Sequence, residues 1–150
     1  IAQAPLGHDE TLARGQPAHR LAQPAAQKDR VVTIRHDILG PGLLESVYTP
    51  ILAYELESRG HHVSANVPVP IGYAGMRFYT GFYIDLLVDN LVLLHIKSME
   101  QVLPIHQRQT KTFVRLANKP LGLLINFGAV SMQDGIFRYT NHESLALTQN

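Results

Sequence analysis

One acidic and two basic residues stand out in two neighbouring apolar segments. Asp85 interrupts the run FYIDLLV, and His95 and Lys97 follow the run LVLL. A buried, unpaired carboxylate is costly, so Asp85 needs a partner. If the segments pair as strands, His95 and Lys97 project from one face and Asp85 lies alongside them. Such a trio suits hydrolysis at phosphorus, with the carboxylate on a divalent cation and the lysine orienting the nucleophile. The alternative is an Asp85–Lys97 cross-strand ion pair beside a satisfied, partly buried His95.

A further carboxylate lies in the first helical segment. At about 100° per residue, Glu45 falls beside Leu52 and Leu56, at the edge of an apolar arc. It is either an ordinary boundary residue or a side chain that points into a site over the sheet.

The second helical segment carries a polar residue and a basic stripe. Its apolar arc contains Ile105, Phe113, Leu116 and Ala117, and Gln109 falls inside that arc, where it needs hydrogen-bond partners. The opposite side presents a stripe of four basic residues. This stripe is either a solvated face or a contact for a phosphate backbone. Its members are Arg108, Lys111, Arg115 and Lys119.

Periodicity predicts an α/β fold with elements in the order αβββαββ. Strands that alternate with helices imply a mixed β-sheet flanked by helices. Asp89-Asn90 is a two-residue hairpin turn, and the run LVLL indicates a central strand. Pro50 costs about 3 kcal/mol inside a helix, and we expect one kinked helix there rather than two. The predicted helices cover residues 38–59 and 102–118, and the strands cover residues 61–71, 78–88, 91–96, 121–127 and 135–139.

Composition divides the chain and excludes some classes of function. Residues 1–33 are rich in Ala, Gln and Pro and are predicted to be a disordered or loosely attached leader. Residues 34–140 form the predicted domain, and residues 141–150 form a tail. The chain has 13 Lys plus Arg against 12 Asp plus Glu and no cysteine, which excludes disulfides and thiolate chemistry. No apolar run suffices for a membrane span, and the lack of cysteine is consistent with a cytoplasmic location.

Six sequence blocks resemble the GxxExxY family of the PD-(D/E)XK nuclease superfamily. The naming motif is present as Gly42, Glu45 and Tyr48 in GPGLLESVY, and the later blocks include VPVPIGYAG, FYIDLLV, LVLLHIKSMEQVLPIHQRQTKTFVRL and LGLLINFG. The resemblance implies a restriction-endonuclease-like core and a nuclease acting on nucleic acid, with DNA as the expected substrate. It implies Asp85, Lys97, Glu45 and Gln109 as catalytic residues.

His95 departs from the family pattern, which has a glutamate at this position. The implied metal set is therefore Asp85, His95 and Glu45. If the protein is an active nuclease, Mg²⁺ or Mn²⁺ is expected as cofactor, and imidazole suits Mn²⁺ better than Mg²⁺. Phe113 is a lesser departure, since it replaces the tyrosine of a Gln-x-x-x-Tyr element. These departures leave three possibilities open: a weakened nuclease, a catalytically silent module that binds nucleic acid or a partner, and a remnant without activity.

Overall fold

Residues 37–143 are described in the computed structural model, so the predicted leader and most of the predicted tail lie outside the described residues. The predicted order of elements is confirmed apart from a separate helical segment at residues 37–39 and one added short helix after the fourth strand. Ser131 caps that helix, and its side chain accepts a hydrogen bond from the Gln133 N–H. The elements are α1 (Glu45–Ser58), β1 (Val63–Tyr73), β2 (Met76–Val88), β3 (Val92–Lys97), α2 (Pro104–Leu116), β4 (Leu121–Asn126), the short α3 (Met132–Gly135) and β5 (Ile136–Thr140).

The five strands form one mixed sheet in the order β1-β2-β3-β4-β5. Neighbours pair antiparallel except β3 and β4, which are parallel. Two parallel neighbours need a crossover connection, and α2 provides it. β3 and β4 are buried along nearly their whole length, as expected for strands with helices on both faces. The predicted restriction-endonuclease-like architecture is confirmed.

The two longer helices cover opposite faces of the sheet. Alternate β3 residues pack towards α1, while Leu93 between them packs towards α2. The α1 side holds the larger cluster, which is formed by Tyr48, Leu52, Leu56, Leu86, Val88, Val92, Leu94, Ile96, Leu121, Leu123, Ile125, Phe127 and Met132. The α2 side holds Val69, Ile84, Leu87, Leu93 and Val114.

Helix α1 begins later than predicted. Residues 37–39 are helical, but Gly40 and Gly42 have φ of +74° and +100° and interrupt the helix before Glu45. This left-handed backbone favours glycine, so the two glycines mark a turn rather than helical residues. From Glu45 the helix continues through Pro50 to Ser58 as a single element. The prediction of one helix across Pro50 is confirmed, and its predicted start at Ile38 is wrong.

Two tight turns join the antiparallel strands β1, β2 and β3. Asp89 and Asn90 both have positive φ, at 53° and 56°, as a type I′ hairpin turn requires. The predicted β2–β3 hairpin is thereby confirmed. A second turn, missed from the sequence, joins β1 to β2 through Ala74 and Gly75, with φ of 50° and 76°.

No helix among residues 37–143 is long and apolar enough to cross a membrane.

Candidate active site

The site lies where β2 and β3 separate. Their backbone pairing ends at Leu86–Leu94, and beyond it the Asp85 carboxylate accepts a hydrogen bond from the Ile96 N–H at 2.8 Å. The neighbouring backbone is irregular. Residues two apart in a regular strand lie on the same face, but Ile84 and Leu86 pack in clusters on opposite faces. On the neighbouring strand β1, Asn66 has φ of 53°. The side chain of Asp85 thus replaces a strand partner that the diverging backbone no longer supplies.

Glu45 occupies the next position along the same edge. Its Oε1 accepts from the Ser98 N–H at 3.3 Å. The amides of Ile96 and Ser98 are two residues apart, which is about 7 Å along an extended chain, and they point in the same direction. The two carboxylates therefore lie side by side, each with one oxygen held by a backbone amide. Sequence spacing predicted neither amide contact.

Lys97 lies within electrostatic reach of this pair. Burial raises the pKa of Asp85 above its ordinary value, and the negative charge of Glu45 raises it further. The Ile96 N–H and the positive charge of Lys97 oppose these effects on the Asp85 pKa. No direct ion pair joins Asp85 and Lys97 within the described residues. Lys97 therefore remains available for another anion, which argues against a simple cross-strand ion pair.

The Gly42, Glu45 and Tyr48 motif has a structural explanation. Tyr48 is 1% exposed and stacks on Phe127, with ring centroids 4.3 Å apart. Its hydroxyl donates to the Gly40 carbonyl oxygen and accepts from the Leu43 N–H. The Ser98 hydroxyl donates to the Leu43 carbonyl oxygen. These contacts fix the turn that places Glu45 at the first position of α1, against the end of β3.

His95 points away from the carboxylates, towards α2. It is 8% exposed, its ring lies 5.2 Å from that of Phe113, and its Nδ1 is 2.8 Å from the Thr110 hydroxyl. That hydroxyl donates to the His106 carbonyl oxygen at 3.0 Å, so it accepts from His95 and the Nδ1 atom carries the hydrogen. Burial, together with the charges of Lys97 and His106, lowers the pKa of His95 to about 4. The imidazole is thus neutral near pH 7.

Asn126 is a buried polar residue that the sequence reasoning missed. It is 3% exposed, and its amide donates to the Met99 carbonyl oxygen and accepts from the Met99 N–H, at 2.9 and 3.0 Å. It ties the loop that leaves β3 to the end of β4. A side chain on Gly128 would come within 2.2 Å of the Met99 oxygen, so glycine is required beside this clamp. The signal was an asparagine that ends the apolar run LGLLIN.

The buried face of α2 differs by about one residue from the apolar arc predicted from the sequence. Gln109 is exposed, whereas Thr110 and Val114 are buried, and Ile105 and Leu116 are 47% and 36% exposed. The placement of Gln109 inside the buried arc is therefore wrong. The physical reason is Thr110, a polar residue that can face inwards because His95 pairs with it.

The four residues of the predicted basic stripe have different surroundings. Arg108, Lys111 and Arg115 are exposed, while Lys119 is half-buried. Lys111 Nζ lies 5.6 Å from the centre of the Tyr139 ring. Lys119, beyond the end of α2, donates to the Asn90 side chain at 2.8 Å. The stripe therefore divides into a part near β5 and a part near the β2–β3 turn.

A comparison with family models identifies the superfamily of the chain. The model of the PD-(D/E)XK nuclease superfamily matches residues 28–139. The chain belongs to the PD-(D/E)XK nuclease superfamily. The match begins upstream of residue 34, where we predicted the domain to start. Searches of curated proteins and of solved structures found no significant match.

PD-(D/E)XK nucleases generally use divalent metal ions, and part of the implied ligand set fits such an ion. No three His, Asp or Glu side chains converge as metal ligands among residues 37–143, and His95 is directed into α2. The predicted trio of Asp85, His95 and Glu45 is therefore not assembled. The two carboxylates alone suit Mg²⁺, which proteins often bind through one or two carboxylates, water and substrate phosphate. Burial and, to a smaller extent, the charge of Glu45 raise the pKa of Asp85, and a bound cation would oppose both effects.

Proposed function

We propose that this protein is a metal-dependent phosphodiesterase of the GxxExxY type that hydrolyses nucleic acid, with DNA as the expected substrate. The observation that carries the proposal is the pair of carboxylates, Asp85 and Glu45, held on alternate amides at the end of β3 with the charge of Lys97 nearby. The Gly42, Glu45 and Tyr48 motif supports it, because these residues form the turn that presents Glu45.

Each residue has a role that follows from its surroundings. Asp85 and Glu45 would hold the cation through the oxygens that the amides of Ile96 and Ser98 leave unused. When bound, a divalent cation polarises the phosphate and lowers the pKa of a water molecule. Lys97 would offset the charge on the reacting phosphate or orient the nucleophile. Gln109, exposed on α2, would contact the substrate rather than the metal.

Cleavage assays with matched variants test this function. The protein would be incubated with single-stranded DNA, double-stranded DNA and RNA in Mg²⁺ or Mn²⁺. We expect Asp85→Asn and Lys97→Ala each to lower the cleavage rate on the order of 100-fold or more. Glu57→Gln removes an exposed carboxylate from the same helix as Glu45 and should retain the activity. Cleavage that is unchanged in both site variants would refute the assignment.

A nucleic-acid-binding module without catalysis is the second candidate, and His95 favours it. Its Nδ1 contacts Thr110 and its ring contacts Phe113. The side chain at this position is therefore turned towards α2, and it does not replace the glutamate of the family pattern as a metal ligand. Salt-dependent binding of DNA without cleavage in either metal would support this alternative. His95→Glu then becomes decisive, because metal-dependent cleavage in this variant but not in the parent would identify residue 95 as the defect.

A further inference from the structure

A second feature that suits a nucleic-acid strand lies between α2 and β5. It is a groove of about 500 Å³, lined by Lys111, Val114, Arg115, Arg138, Tyr139, Thr140, Asn141, His142 and Glu143. Three of these residues are permanently cationic and one is anionic, so the lining has a net positive charge even with His142 neutral. The sequence placed two of the cations on α2 but did not reveal that β5 contributes a third.

Local contacts fix part of this groove. Lys111 Nζ lies 5.6 Å from the centre of the Tyr139 ring, close enough for a cation–π interaction that holds the ammonium over β5. The Tyr139 hydroxyl is buried and has no hydrogen-bond partner among the described residues, and burial raises its pKa. The groove thus holds the Lys111 ammonium against the β5 side, while the Tyr139 hydroxyl lies beneath the surface.

The register of the sheet places the groove away from the carboxylates. Arg138 pairs with Leu123, Leu123 with Leu94, and Leu94 with Leu86, which adjoins Asp85. Three strand spacings of about 4.8 Å put the Cα atoms of Arg138 and Leu86 about 14 Å apart. This span equals about four base-pair steps measured along the axis of B-DNA.

We propose that this groove binds backbone phosphate of the nucleic-acid substrate, several nucleotides from the reacting bond. The proposal rests on the proposed function for the identity of its ligand. It selects Lys111 and Arg115 from the basic stripe and leaves out Arg108, which does not line the groove. The protein would therefore favour strands long enough to occupy both places over di- or trinucleotides.

Binding without catalysis tests the groove separately from the active site. Fluorescence anisotropy with a labelled 12-nucleotide single strand in EDTA would compare the parent with the double variant Lys111→Ala/Arg115→Ala. We expect the double variant to weaken binding on the order of tenfold. The slope of log K against log salt concentration should become shallower by about 1.4, because two phosphate contacts to a single strand are lost. Arg108→Ala and Arg77→Ala, which remove exposed cations outside the groove, should have smaller effects. Inorganic pyrophosphate should compete with the strand for the parent but not for the double variant.

Each outcome separates the two proposals. Equal losses of affinity from Arg108→Ala and from the double variant would mean that a diffuse basic face binds the strand, and would overturn the groove proposal. Unchanged binding in the double variant would do the same even if the protein cleaves DNA. Groove-dependent binding by a protein that never cleaves would keep the groove and refute only the hydrolysis.

Discussion

The Asp85 carboxylate would have to be ionised to bind a cation, whereas its surroundings in the folded chain favour the protonated form. The carboxylate is half-buried beside Glu45, so the folded chain favours the protonated form more than the unfolded chain does. Stability contributed at this position is therefore lost as pH rises through the ordinary aspartate pKa towards the raised one, and the penalty is present at pH 7. This cost is what a residue kept for cation binding is expected to carry.

Asp85→Asn should consequently stabilise the metal-free protein, although it is expected to lower the cleavage rate. The asparagine side-chain oxygen can still accept from the Ile96 N–H, and the repulsion from Glu45 disappears. Thermal unfolding at pH 7 in EDTA should show a higher Tm for the variant than for the parent, and the difference should shrink at pH 3. A lower Tm at pH 7 would mean that the charge of Asp85 contributes to stability in the folded protein.

His95 gives the opposite pH dependence. Its pKa falls from the ordinary 6.5 to about 4 on folding, so its stabilising contribution is complete above pH 6.5 and is lost as pH falls towards 4. The shift corresponds to roughly 3 kcal/mol once the imidazole is fully protonated. Urea unfolding of the parent and of His95→Gln between pH 7.5 and 4 measures it. The parent should lose more stability over this range, and parallel curves would contradict the burial of a neutral imidazole.

At the scale of elements, the buried strands could be predicted from the sequence, whereas the position at which a helix begins was harder to predict. β3 and β4 follow from apolar runs, and the I′ turn at Asp89-Asn90 follows from residue types that tolerate positive φ. The start of α1 was misplaced because Leu39, Leu43 and Leu44 continue a helical spacing across two glycines. The positive φ of Gly40 and Gly42 and the contacts of the Tyr48 hydroxyl show that this segment is a turn.

The β1–β2 turn offers a test of local strain. Ala74 has φ of 50°, a left-handed conformation that costs an alanine roughly 1 kcal/mol and that asparagine tolerates better. Ala74→Asn creates Asn-Gly at the tip of the hairpin and should raise the free energy of unfolding by up to about 1 kcal/mol. Urea denaturation would measure the change, with Ala129→Asn as a control outside the hairpin. A destabilised Ala74→Asn variant would contradict the turn geometry.

At the scale of the whole molecule, the hairpin pattern predicted that Asp85 would lie beside the strand that carries Lys97, because pairing along adjacent strands limits which side chains can converge. It could not predict the direction of the His95 side chain. That direction depends on a hydroxyl from α2 and a ring from the same helix, which adjoin His95 only after the sheet and helix have packed. The same packing turned Gln109 outwards.

Cation binding and global stability should be linked through the two carboxylates. A ligand that binds only the folded chain stabilises it by about 2.7 kcal/mol at 100 times its Kd, which for a domain of this size is several degrees in Tm. We expect Mg²⁺ or Mn²⁺ to raise the Tm of the parent and of Glu57→Gln, and to have little effect on Asp85→Asn or Glu45→Gln. Because His95 points into α2, His95→Gln should retain the metal-dependent shift. Loss of the shift in His95→Gln, with its Tm in EDTA preserved, would instead show that the imidazole joins the carboxylates when the cation binds.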